Sequence, residues 1–480
     1  MQDFKKIWSK RHSLRLGENW SFGPLQFEKI FGIKFPNQVI VYQEGFGYGF
    51  VDNDMLKVCH THLIGEIYRK GFDEYFEKRA LPVFESFLNF SKHICRFVTG
   101  ASSNFEIHKL WKEFIQREDE WMNYVWMVFL LDEGLTNELQ KKLQEVQFDD
   151  MNRLLPAMVA PASATAASRL KKELLVLASA VRLGKDVTAD LQRLATLYGY
   201  FAILNMDETP LGTPYFQDEI DDLVCTDVDG ELGKLDQNTK DMAMLYEEVK
   251  VRCAAHPPML LLIEACRKVA YYREYRNDIR QESYYYARHL YLEIAKRSGI
   301  EVGDLIFATR NEIENFLLNK EKIREDIVAS RKALSAIISD YQKSEVRYEF
   351  DHNAIVRLWP REDADVPTRQ LRGIVAYQGI ARGKVKVIFD PTKHGHDFET
   401  GTILVTTTTN LSFVPLMRKA AAIITDEGGM LTHAAIVARE FGKVAIVGCK
   451  IATKVLHDGD FVEVDAHQGI VTILQHQADH

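Results

Sequence analysis

One string in this 480-residue chain concentrates groups able to do chemistry: TDEGGMLTHAAIVAREFG, from Thr425 to Gly442. The apolar run AAIIT leads into Asp426 and Glu427, and Gly428 and Gly429 supply a tight turn. The pattern that follows predicts a helix starting near Thr432, with His433 in its first turn. The first N–H groups of a helix lack intrahelical partners and lie at the positive end of its dipole, so they stabilise an anion and disfavour an imidazolium. A neutral imidazole at that point is a nucleophile beside an anion-binding terminus, which suits a phosphohistidine. Asp426 and Glu427 are candidates for orienting the ring or holding a metal, although solvating the turn is the commoner use of such a pair. Taken alone, Gly-Gly-x-x-x-His also fits a histidine that only caps a structural turn.

Other candidates carry less. In YYREYRNDIRQESYYY, Arg273, Arg276, Arg280 and Tyr284 recur at spacings of three and four and form one Arg/Tyr helix face, while Tyr271, Tyr275 and Ile279 line another. Guanidinium groups pair bidentately with phosphate oxygens, so the first face is a candidate acceptor- or phosphate-binding surface. The plainer reading is ion pairing with neighbouring helices. The break around Asp207, Glu208, Pro210 and Pro214 reads as an interhelical loop. His60 and His62 follow an expected strand and would share a face if it continued, but a third metal ligand cannot be named. Gly45, Gly47 and Gly49 lack the following helix and the Lys-Ser/Thr pair of a nucleotide loop, and read as turn glycines.

These groups need elements to position them. From about Phe72 to Tyr341 apolar residues recur every three or four positions, which predicts a large, mainly α-helical domain. Ahead of it, NQVIVYQEGFGYGFVDNDMLKVCH alternates around glycines and predicts a β-hairpin region near 38–60. Beyond Leu371 the short runs GKVKVIF, TILVTT, AAIIT, VAIVG, FVEVD and GIVTIL, with one helical stretch after Gly429, predict a compact α/β domain. Between the two, WPREDADVPTRQ is polar and carries two prolines. It reads as an exposed hinge that could reach roughly 40 Å when extended. The expected division is 1–360 helical, 361–370 hinge and 371–476 α/β.

Composition narrows the function classes. Apolar residues are 46% and charged residues 27%, a globular balance. Lys and Arg number 60 against 68 Asp and Glu, net -8, without the positive excess of a nucleic-acid binder. No window is long and apolar enough to cross a membrane, and the N-terminal stretch lacks the apolar core of a secretory signal, so a cytoplasmic location is expected. The six cysteines are scattered, with no zinc spacing, and read as reduced thiols.

The Thr425–Gly442 string resembles the phosphohistidine motif of the phosphoenolpyruvate-utilising enzymes, and the likeness extends through GTILVTTTTNLSFVPLMRKAAAIITDEGG before it and ATKVLHDGDFVEVDAHQGIVTIL after it. In that family, which includes phosphoenolpyruvate synthase, pyruvate phosphate dikinase and rifampicin phosphotransferase, the motif lies in a swivelling (mobile) domain. The resemblance implies that His433 is the phosphate carrier, with Gly428 and Gly429 as its turn, Thr432 immediately before it and Arg439 at the motif's arginine position. Leu431 stands where the dikinases have Thr or Ser, so dikinase-style regulation at that hydroxyl is not expected. AYQG, Ala376 to Gly379, replaces the family's common Ala-Ser-Pro-Gly. A looser likeness to the helical region of rifampicin phosphotransferase runs from YYREYR to IFATRNEIENFL.

What the resemblance implies is a phosphotransferase component that carries a phosphoryl group on His433 from an ATP-derived donor to a small-molecule acceptor in the helical domain. Neither an ATP-grasp domain nor a (β/α)8 pyruvate barrel is recognisable, so ATP and Mg2+ are expected at a separate ATP-grasp partner. Two alternatives stay open. One is a non-catalytic, degenerate swivelling protein that binds a partner or ligand, against which the intact His433 argues. The other is a complete phosphotransferase with an unrecognised nucleotide site in the N-terminal region.

Overall fold

The computed structural model describes residues 4–98, 100–146, 150–358, 369–389, 391, 395, 397–409 and 411–476. The expected hinge at 361–370 lies, up to residue 368, outside the described residues. The chain forms two compact units, Met1–Leu131 with Ile203–Thr209 and Ile279–Ala364, and Asp132–Ala202 with Pro210–Asp278 and Asp365–His480. The helices that matter for the site are, in chain order, α1 (Leu14–Phe22), α2 (Asn104–Val146), α3 (Ala166–Arg182), α4 (Thr213–Val224), α5 (Pro257–Ser298), α6 (Val414–Lys419) and α7 (His433–Phe441). α2 and α5 contribute residues to both units. Among the described residues no helix is long and apolar enough to cross a membrane.

The first unit holds an antiparallel sheet of β1 (Phe4–Arg11), β2 (Gln38–Gln43), β3 (Phe46–Asp52), β4 (Leu334–Asp340) and β5 (Glu345–Glu349), in the order β1-β3-β2-β4-β5. Gln43 pairs with Phe46, so the β2–β3 hairpin closes on Glu44 and Gly45, both at positive φ (51° and 81°). A turn of that twist favours glycine, which accounts for Gly45. The hairpin reading holds for 38–52 and fails beyond. Asp52 caps a helix, Asn53–Lys70, its carboxylate accepting from the Met55 N–H at 2.9 Å. His60 and His62 therefore lie on a helix, where two residues apart means about 200° around the axis. His62 Nε2 meets the Phe31 carbonyl at 2.9 Å.

The helical pattern expected to run to Tyr341 also stops early, because LSAIISD becomes β4 and pairs with β2, burying Ala336 with Val39, Val41 and Phe50. The Thr-x-x-Glu of IFATRNEI is a capping box. Thr309 Oγ1 accepts from the Glu312 N–H at 3.3 Å, and the Glu312 carboxylate accepts from the Thr309 N–H at 2.9 Å, starting the helix Arg310–Asn319.

In the second unit, α3 and α4 pack through an apolar cluster that includes Leu170, Leu174, Ala178, Phe216 and Ile220. The C-terminal region is an α/β domain built on a mixed sheet. Its strands are β6 (Gln370–Arg372), β7 (Ile374–Tyr377), β8 (Ile380–Val387), β9 (Ile403–Thr406), β10 (Ala422–Thr425), β11 (Val444–Val447), β12 (Phe461–Asp465) and β13 (Ile470–Gln475), in the order β6-β13-β12-β8-β9-β10-β11-β7. Strands β8 to β11 run parallel to one another, and β9 and β10 are buried along their whole length, which explains their unbroken apolar runs. Leu404, Ile423, Ala445 and Val447 face α6 and α7 on one side, while Ile403, Val405, Ala422, Ile424 and Ile446 face a second core on the other. This alternation of period two assigns each side chain of β9 and β10 to one of the two cores.

Candidate functional site

The site begins at the C-terminal end of β10. Gly428 takes φ +118°, a region side chains rarely adopt, and a Cβ there would meet the Thr432 side chain at 3.0 Å. The chain then turns and enters α7 with Thr432 as N-cap and His433 as the first helical residue, as the two glycines predict. Thr432 does not cap with its side chain. Its hydroxyl donates to the Gly429 carbonyl at 2.8 Å, so the start of α7 has no side-chain cap to compete with an anion.

His433 is 5% exposed. Its Nδ1 lies 2.8 Å from Oγ1 of Thr409, a buried residue of the loop that leaves β9. Its Nε2 has no hydrogen-bond partner among the described residues and faces the Glu274 carboxylate of α5 at 3.9 Å. Burial, and secondly the Arg273 cation, lower the imidazole pKa to about 3. Neutrality thus arises chiefly from desolvation rather than from the helix terminus invoked on sequence grounds.

Glu274 is itself 4% exposed, and burial raises its pKa to about 7 against the pull of Arg273 and Arg276. One Glu274 oxygen, Oε1, has no hydrogen-bond partner among the described residues. Arg273 pairs with Asp132 of α2. The ring therefore meets a carboxyl group poised near neutrality, flanked by guanidinium charge. Such a pairing of a neutral nucleophile with a tuned base suits transfer of a group to a protic acceptor.

The remaining candidates are placed as follows. Arg439 is half-buried in α7 and donates through Nη2 to the Met430 carbonyl at 2.6 Å, clamping the glycine turn from within. Asp426 accepts from the Thr453 N–H at 2.9 Å and from the Thr453 hydroxyl, joining the turn to the next short helix. Glu427 is partly exposed beside it. Of the proposed Arg/Tyr face, Arg273 and Arg276 act on Glu274, whereas Arg280 and Tyr284 belong to the other unit. There Tyr284 donates to Glu118, which also pairs with Arg15 of α1. In the loop at Asp207 and Glu208, the Glu208 carboxylate accepts from the Leu204 and Asn205 N–H groups. No cluster of three or more His, Cys, Asp or Glu able to hold a metal occurs among the described residues.

Two residues of the site went unnoticed in the sequence, Thr409 and Glu274. Thr409 is the last of a run of four threonines that begins with the final residue of β9, and Glu274 sits between the arginines already singled out.

Residues 398–469 match the family described as PEP-utilising enzyme, mobile domain. A probable phosphoenolpyruvate synthase of Archaeoglobus fulgidus is 59% identical over 101 residues, covering 21% of this chain and 13% of the relative. One of Staphylothermus marinus is 39% identical over 189 residues, 39% of this chain and 20% of the relative. A rifampicin phosphotransferase of Streptomyces sviceus is 31% identical over 218 residues, 44% of this chain and 24% of the relative. The matched region thus spans a quarter or less of these relatives' length.

Proposed function

We propose, from the match of residues 398–469 to the mobile domain of PEP-utilising enzymes, that the chain is the carrier-and-acceptor part of a phosphotransferase, with the phosphoryl group borne on Nε2 of His433. The observation that carries this reading is a buried, uncharged imidazole held at Nδ1 by Thr409 and facing a single tuned carboxyl at Nε2. In the reacting tautomer the Nδ1 proton is donated to Thr409 Oγ1, which leaves the Nε2 lone pair for phosphorus.

Loading proceeds by attack of Nε2 on the transferable phosphorus of an ATP-derived donor held, with Mg2+, on an ATP-grasp partner. The N–P bond forms as the P–O bond to the leaving group breaks, and that oxygen keeps the electron pair. Delivery reverses the polarity at nitrogen. An acceptor oxygen attacks phosphorus, the N–P electron pair returns to Nε2, and the acceptor's proton needs a base because Nδ1 is already protonated. Glu274 is placed for that role, and its pKa of about 7 leaves much of it ionised at neutral pH. Arg273 and Arg276 supply positive charge beside it, and the uncapped start of α7 supplies N–H donors for the phosphoryl oxygens. The carboxyl facing Nε2 comes from α5, in the helical part of the unit, which supports reading this arrangement as the acceptor station of the relay.

The test is to incubate the protein with labelled ATP, alone and with candidate ATP-grasp proteins, and to look for acid-labile label. Loss of label in His433→Ala with retention in His457→Ala supports the reading, and equal labelling of both variants removes it.

A further inference from the structure

A second carboxyl shares the surroundings of Glu274. His433 and Glu440 open and nearly close α7, seven positions apart, so they project from the same face of the helix, about 10 Å apart along its axis. On that face His433 Nε2 meets the Glu274 carboxylate of α5 at 3.9 Å. Glu440, half-buried, meets the start of α3, its carboxylate accepting from Thr165 Oγ1 at 3.3 Å.

The cations around the two carboxyls are engaged elsewhere. Arg273 pairs with Asp132 of α2, and Arg276 Nε lies 3.4 Å from the Arg273 carbonyl. Arg439 donates to the Met430 carbonyl. Lys171 of α3 donates at 3.3 Å to the backbone carbonyl of Glu440 rather than to its carboxylate, with Glu231, Arg418 and Lys443 around it. Among the described residues, the nearest charged partner of Glu274 is thus the His433 ring, and the carboxylate of Glu440 has a hydroxyl.

Two neighbouring carboxyls that are poorly solvated and lack a cation in contact cannot both ionise cheaply. Burial, and secondly the Glu274 carboxylate, raise the Glu440 pKa to about 7, the value that burial gives Glu274. We propose that Glu440 is a positioning residue for delivery, forming with Glu274 a coupled carboxyl pair that holds one proton between its members, a proposal that rests on the carrier reading above. With a single charge in the pair, Glu274 can still take the acceptor's proton, while the anionic phosphoryl group on His433 faces one negative charge rather than two. Glu440 acts only through Glu274, by deciding how much of the pair's charge resides there.

Two titrations of the full chain read the pair, the first without any phosphoryl chemistry. NMR of isotope-labelled glutamate carboxyl carbons follows Glu274 and Glu440, each identified by its loss in Glu274→Gln or Glu440→Gln. In the natural chain both resonances titrate over curves broader than a single-proton step. Glu440→Gln, which keeps an oxygen for Thr165, narrows the Glu274 curve to one step and lowers its midpoint by about half a pH unit or more. Glu440→Asp keeps the charge and restores the broad curve. The second titration is the decay of chain loaded with phosphoramidate, with water as the acceptor. Its rate against pH follows the Glu274 resonance, so Glu440→Gln shifts the profile down and sharpens it. A merely structural Glu440 would lower the rate by one factor at every pH and leave the midpoint in place.

Should Glu440→Gln fail to fold, the reciprocal narrowing and downward shift of the Glu440 curve in Glu274→Gln carries the test. The pair is overturned if both resonances titrate as single protons in the natural chain, or if neither substitution moves the other residue's midpoint. Coupled resonances together with a decay rate indifferent to both substitutions would count against Glu274 as the base, and so against the acceptor-station reading, with the NMR result still deciding the pair.

Discussion

Replacing His433 by Gln should make the protein less sensitive to acid, by an amount that follows from the burial of the ring. The unfolded chain can protonate this imidazole below its ordinary value of about 6.5. The folded chain does so only below about 3, because the ring is buried and Arg273 stands nearby. A group whose folded pKa is depressed binds fewer protons in the native state, so native stability falls as pH drops through the window between those two values. At pH 5 the difference is about 2 kcal/mol, and at pH 8 it vanishes. Glu274 and Glu440, both raised to about 7 mainly by burial, tilt the pH profile the other way, but they are present in both proteins. Urea unfolding of natural and His433→Gln chains at pH 8 and pH 5 isolates the histidine. Relative to the natural chain, the variant should gain about 2 kcal/mol on going from pH 8 to pH 5. An unchanged difference between the two proteins would mean that the ring titrates normally, and the buried neutral nucleophile would have to be abandoned.

Three further outcomes follow. Glu274→Gln should slow delivery to an acceptor by about 10²-fold or more while leaving chemical loading of His433 within about twofold, and should abolish the rise in delivery rate as pH increases through about 7; single-turnover decay of preloaded protein measures both. Thr409→Val leaves Nδ1 without its partner and should slow loading about ten-fold, with little change in fold as judged by circular dichroism. Gly428→Ala forces a side chain into φ +118° against Thr432 and should lower stability by about 1–3 kcal/mol in urea unfolding, with weaker loading because the turn that presents α7 is displaced.

The local parts of the site were legible in the sequence. Gly428 and Gly429 between an apolar run and a helical period place His433 at a helix start, because turn and helix-start signals act over a few residues. Thr409 was not legible, since its approach depends on β9 and β10 lying side by side in parallel, with Thr406 opposite Thr425. Glu274 lay on a helix already read correctly, but which face of α5 meets His433 is decided by packing rather than by period. His60 and His62 were misassigned because MLKVCHTHLIGEIY continues an apolar strand pattern as readily as it starts a helix, and Asp52 as cap is what decides. The first unit's sheet was half visible. Its hairpin is local, whereas β4 joins β2 across most of the unit's sequence and looks, residue by residue, like a short apolar stretch of helix.

The central claim is that one nitrogen, Nε2 of His433, carries the phosphoryl group. After reaction with an ATP-grasp partner or with phosphoramidate, the phosphorylated chain can be examined by phosphorus–proton correlation NMR on the peptide containing His433. An acid-labile phosphoramidate is expected on the nitrogen remote from Thr409, absent in His433→Ala. Phosphate found on Nδ1, on another histidine or on a hydroxyl would contradict it.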